Sequence, residues 1–71
     1  METPIQRKLA KRIKELRNKC HLTQDKLSEL TGLDYKYIQR IEGKNPPDIR
    51  LTTIERLAKA LKTTPAKLLE L

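Results

Sequence analysis

In the segment Leu22–Glu42, LTQDKLSELTGLDYKYIQRIE, two helix starts lie eleven residues apart. At the first, Thr23 offers a hydroxyl to a first-turn N–H, and Asp25 suits the positive end of a helix dipole. Leu22, just before that cap, is placed to pack on Leu27 four positions beyond it. Leu27 and Leu30 are expected to face the core. Gly32 supplies the left-handed residue that closes a helix at low cost. The device then repeats: Leu33 precedes the cap Asp34, and Ile38 takes the packing position of a helix running to about Glu42. With one Gly between them and no room for a longer loop, the two helices must cross sharply. The segment reads as a helix-turn-helix over 23–42, its second helix (35–42) polar and rich in tyrosine and bases.

Upstream, Ile5, Leu9, Ile13, Leu16 and Cys20 recur at steps of three and four, which predicts an amphipathic helix over 4–19. Its other faces carry Arg7, Lys8, Lys11, Arg12, Lys14 and Lys19. Their ordinary role is to solubilise, with a charge such as Arg12 or Lys14 lying near a bound backbone. Downstream, Gly43-Lys44-Asn45-Pro46-Pro47-Asp48 is a loop by composition. Thr52-x-x-Glu55 has the form of a capping box ahead of Ile54, Leu57, Ala58 and Leu61, the apolar face of a fourth helix. Thr64 caps a fifth, with Pro65 at its first position. Leu68, Leu69 and Leu71 exceed what one short helix buries on a single side. They either finish the core or leave a dimer contact or docking surface. No strand pattern, repeat or low-complexity tract is present. The expected fold class is all-α, five helices in one domain over 1–71.

Composition narrows the chemistry. One Cys excludes an internal disulfide or a Cys-based zinc site and fits a reducing cytoplasm. With one His and no Gly-rich loop besides, no metal and no cofactor is expected. Cys20 and His21 are neighbours, but adjacent residues point apart and no orienting acid is evident, so Cys20 reads as a small core residue and the chain as a non-enzyme. No apolar run approaches a membrane span, and METPIQRKL lacks a signal-peptide core. Sixteen Lys plus Arg against nine Asp plus Glu give a net charge of +7, which favours a polyanionic partner. With two Tyr, no Phe and no Trp, the chain lacks the stacking aromatics of single-strand RNA readers.

RIKELRNKCHLTQ, LSELTGLDYKYIQRIE and LTTIERLAKALKTTPAKLLEL, in that order and spacing, resemble the Cro- and lambda-repressor-like helix-turn-helix family, also called XRE. The resemblance runs from about Ile13 to Leu69. It implies a third helix that enters the DNA major groove, usually in a homodimer on a near-palindromic operator. It places Gln24 at a phosphate-contacting position and Tyr35, Lys36 and Arg40 at base-contacting ones, with Gln39 as a fourth. It matches Arg17 and Glu42 to a salt bridge between helix one and the end of helix three. His21 and Lys62 stand where the family often has Gly. The Gly43–Leu51 loop is about a residue longer than usual, with phosphate contacts expected from Lys44, Asn45 and Arg50.

Physical chemistry runs beside the resemblance. Tyr35, Lys36, Gln39 and Arg40 would otherwise be a solvated helix face. In this framework Arg40 suits a guanine edge, Gln39 an adenine, and Lys36 a guanine or a phosphate. Tyr37 reads as packing or phosphate contact. Glu42 at a helix C-terminus wants a cation, and Arg17 can reach it with a bidentate fork. The expected function is a sequence-specific regulator of transcription, a repressor above all, working in the cytoplasm on nucleoid DNA. Its dimer would form in free solution or only on DNA. The alternative is a protein-interaction module or antitoxin-type partner-binding protein that uses its C-terminal leucines. The start at Met1 suits either a complete chain or the first domain of a longer regulator.

Overall fold

Helices of ten residues or fewer are not stable alone in water, so four of the five helices here must be held by what they bury. The computed structural model describes residues 4–71. Its elements are α1 (Pro4–Lys19), α2 (Gln24–Thr31), α3 (Tyr35–Ile41), α4 (Leu51–Ala60) and α5 (Pro65–Leu68), with no strand among the described residues. Each helix sends at least one side chain to complete burial: Ile13, Leu27, Ile38 with Ile41, Leu57 and Leu68. Leu9, Ile54, Ala58 and Leu61 complete an aliphatic core. At about 1.5–3 kcal/mol for each large side chain removed from water, these contacts rather than helix propensity hold the fold. α2 packs on α3 and α4, and α5 closes against α4 and α1.

The helix ends follow local chemistry. Thr23 Oγ1 accepts from Lys26 N at 3.0 Å, Asp34 Oδ1 from Lys36 N at 2.8 Å, and Thr64 Oγ1 from Lys67 N at 3.2 Å. Gly32 has φ 73° and donates to Ser28 O, a left-handed cap that turns the chain towards α3. Thr31 Oγ1 accepts from Leu33 N at 3.2 Å and Ser28 Oγ donates to Leu33 O, so two side chains of α2 grip the turn.

Five sequence expectations are corrected. Leu30 is 53% exposed and Ile5 58% exposed, so neither joins the core. Leu30 instead borders an open groove shared with Arg56, Lys59 and Ala60 of α4. α4 begins one residue before Thr52, capped by the backbone of Arg50 without a side-chain hydrogen bond, so Thr52 and Glu55 form no capping box. Leu68 is fully buried and unavailable for docking, whereas Leu69 and Leu71 stay partly exposed. Arg12 is not simply on an outward face, since its Nη2 donates to Lys67 O at 3.1 Å and ties α1 to α5.

α1 and α4 end alike. Leu22 N donates to Arg17 O and His21 N to Asn18 O; Thr63 N donates to Ala58 O and Lys62 N to Lys59 O. Each pair is a Schellman motif whose left-handed residue is not glycine: His21 and Lys62 both have φ 58°. The left-handed conformation costs an L-residue roughly 1–2 kcal/mol, and His tolerates it better than Lys. Glycine at position 62 relieves that strain but loses chain entropy and a favourable charge at the helix end. Lys62→Gly is therefore expected to gain about 0.5 kcal/mol and raise Tm by roughly 2–4 °C. A thermal melt with Tm unchanged or lowered would show that Lys62 is not strained.

Candidate nucleic-acid interface

α3 is held from behind and from its end. Ile38 and Ile41 are wholly buried, and Tyr37 is half-buried against the same core. The helical period then turns Tyr35, Lys36, Gln39 and Arg40 outward together, and all four are exposed. Gln39 Nε2 donates to Tyr35 Oη at 3.4 Å across one turn. Immediately after the helix, Gly43 passes so close that a Cβ there would sit 3.1 Å from Gln39 O. This close return brings Lys44 and Asn45 beside the helix. Lys36, Gln39, Arg40, Gly43, Lys44 and Asn45 line one open groove, which holds three cations and no acid.

The end of α3 is locked by a network across three elements. Arg17 Nε donates to Glu42 Oε2 at 2.7 Å and Nη2 to Glu42 Oε1 at 3.0 Å. The Glu42 side chain is 2% exposed and that of Arg17 11%. Arg17 Nη1 also donates to Leu22 O at 2.6 Å, and Gln24 Nε2 donates to Glu42 Oε1 at 3.1 Å. One carboxylate thus gathers α1, the first turn of α2 and the end of α3. Sequence reasoning missed the Gln24–Glu42 bond, because eighteen residues separate the partners and neither flags the other.

The groove brings Lys36, Gln39, Arg40, Lys44 and Asn45 together, with Tyr35 joined to them through Gln39. Gln24 is half-buried and held by Glu42 at the start of α2. Two of the expected contact residues lie apart. Tyr37 is turned towards the core, and exposed Arg50 caps α4 outside the groove lining. A seven-residue helix is about 10 Å long, and a body of 28 × 25 × 21 Å presents it at the surface. An element of that size fits a B-DNA major groove about 12 Å wide.

A helix-turn-helix family model matches residues 13–68, which include the locking network and the whole groove. The chain belongs to the helix-turn-helix family. It is 41% identical over 61 residues to the Control protein C.SmaI of Serratia marcescens, covering 86% of this chain and 71% of that protein. The restriction-modification controller protein C.AhdI from Aeromonas hydrophila has a similar structure, with a TM-score of 0.82 and 35% identity over 89% of this chain and 94% of that one. The wild-type restriction-modification controller protein C.Esp1396I gives a TM-score of 0.86 and 28% identity, over 97% of this chain and 88% of that one. This helix-turn-helix chain is a regulator, not an enzyme.

Proposed function

We propose that this chain is a controller-type transcription regulator that binds double-stranded DNA sequence-specifically as a homodimer on a near-palindromic operator. The relatives' restriction-modification role suggests operators beside the genes of such a system. The observation that carries the reading is the acid-free groove where Lys36, Gln39 and Arg40 of α3 meet Lys44 and Asn45. Arg40, Gln39, Lys36 and Tyr35 read base edges. Lys44, Asn45, Gln24 and the amides of the α2 end grip phosphates and fix the register, with Tyr37 and Arg50 as flanking contacts. The segment from Thr23 to Glu42 is the reading unit. Leu69 and Leu71, exposed at the chain's end, are candidates for the dimer contact. A regulator of this kind works in the cytoplasm on nucleoid DNA.

Two protomers of 28 Å longest dimension, side by side, can present their third helices about one DNA turn, or ~34 Å, apart. Binding-site selection from a randomised duplex pool at about 150 mM salt tests the whole reading. The expected product is a two-fold symmetric motif with half-sites one turn apart. A dimer neutralising about 6–10 phosphates should lose ~10³–10⁵ in affinity between 50 and 200 mM salt. A pool no richer than background refutes sequence-specific recognition by this chain.

A further inference from the structure

A second basic cleft lies between the ends of α1 and α4 and helix α5, and shares no lining residue with the α3 groove. Its volume is about 570 Å³, inside the range of roughly 300–1,000 Å³ typical of small-molecule sites. Arg12, Lys19, Lys62 and Lys67 line it against one carboxylate, Glu70. Its floor is apolar: Leu61 is 2% exposed, Leu16 is half-buried, and Cys20 Sγ lies 3.5 Å from Leu61 O.

Two further features single this cleft out. Both left-handed non-glycine residues, His21 and Lys62, sit on its wall. At each Schellman turn glycine is the low-strain choice, yet the chain holds a nitrogen-bearing side chain over the same cavity. Non-glycine residues in sparsely populated backbone conformations gather at ligand clamps, where the surrounding structure holds them. Arg12 is the other feature. Its Nη2 is fixed on Lys67 O, while its buried Nε has no hydrogen-bond partner. Buried donors are rarely left unpaired.

We propose that this cleft binds a small organic phosphate. The phosphate would sit among Arg12, Lys19, Lys62 and Lys67, and the organic body would lie on Leu16 and Cys20. Charge alone suits any polyanion. The apolar surface of Leu16 and Cys20 beneath the cations favours a ligand with an organic body over a duplex backbone, which needs no hydrophobic seat. The proposal goes beyond DNA reading and does not depend on it, because the two sites have no residue in common.

The test is amide NMR on the full chain, titrated separately with adenosine 5′-monophosphate, inorganic phosphate and a short duplex of unrelated sequence. The monophosphate should saturably shift the amides of His21, Leu22, Lys62 and Thr63, with inorganic phosphate roughly tenfold weaker. Lys67→Gln and Lys62→Gly should each weaken the monophosphate several-fold while the remaining spectrum stays folded. Shifts spread equally over Lys36, Arg40 and Lys44 would overturn the proposal, as would inorganic phosphate binding as tightly as the nucleotide. A duplex that moves the cleft amides ahead of those of α3 would make the cleft a DNA-backbone contact instead.

Discussion

Glu42→Ala is expected to destabilise the fold by about 3–5 kcal/mol, the range for breaking a buried ion pair by removing one partner. At roughly 0.05–0.15 kcal/mol per residue, a domain of this length has about 4–11 kcal/mol in all. The loss is therefore about a quarter or more of the total, and Tm should fall by at least ~12 °C. Its size follows from what the carboxylate serves. Arg17 is buried and gives two of its three observed hydrogen bonds to Glu42, so truncation strands a desolvated guanidinium. Gln24 loses its bond to the same oxygen. A burial effect separates from a pairing effect in the double variant Arg17→Met with Glu42→Leu. Removing both charges leaves neither unpaired, and should recover most of the stability. Urea unfolding followed by far-UV circular dichroism measures all three chains. A loss below about 1 kcal/mol for Glu42→Ala would reduce the pair to an exposed-type salt bridge.

This network also shows how far the sequence could be read. Thr23, Asp34, Gly32 and Thr64 act through bonds that reach at most four residues, so their roles were legible as local chemistry. Arg17 and Glu42, twenty-five apart, could be matched because an acid at a helix C-terminus needs a cation and a family resemblance supplied the partner. Gln24 had no such flag. Neither did Arg12, whose bond to the Lys67 carbonyl spans fifty-five residues. Periodicity placed Leu27 in the core but not the exposure of Leu30. Three residues along a helix turn a side chain by about 300°, and α3 and α4 cover the Leu27 side of α2. Thr52 and Glu55 had the right letters for a cap, but α4 already begins at Leu51, which puts Thr52 inside the helix. In the candidate interface, the shared exposure of Tyr35, Lys36, Gln39 and Arg40 on α3 was readable from helical spacing. Its partnership with Lys44 and Asn45 depends on the close turn at Gly43, which composition alone does not describe.

Arg40→Ala carries the largest expected effect on recognition. Arg40 is exposed on the groove wall, one residue before buried Ile41 and two before the locked Glu42, so its backbone is fixed while its side chain is available. A guanidinium so placed can fork onto the O6 and N7 of a guanine, an interaction worth about 1–3 kcal/mol of discrimination. A symmetric dimer loses it twice. Specific affinity should drop by about 2–6 kcal/mol, or roughly 30-fold to 10⁴-fold. Binding to unrelated duplex should fall far less, by the one cation lost per protomer, so the salt slope should change by about two for the dimer. Stability should stay within about 0.5 kcal/mol of the parent, as for other surface substitutions. Fluorescence anisotropy on the selected operator and on a scrambled duplex, at two salt concentrations, gives all the binding values. A uniform loss on both duplexes would move Arg40 from base reading to phosphate contact. An unchanged operator affinity would remove it from the interface and shift the reading to Lys36 and Gln39. The protein-interaction alternative is separated by the same variant, because a partner held through Leu69 and Leu71 would still bind a chain that no longer distinguishes its operator.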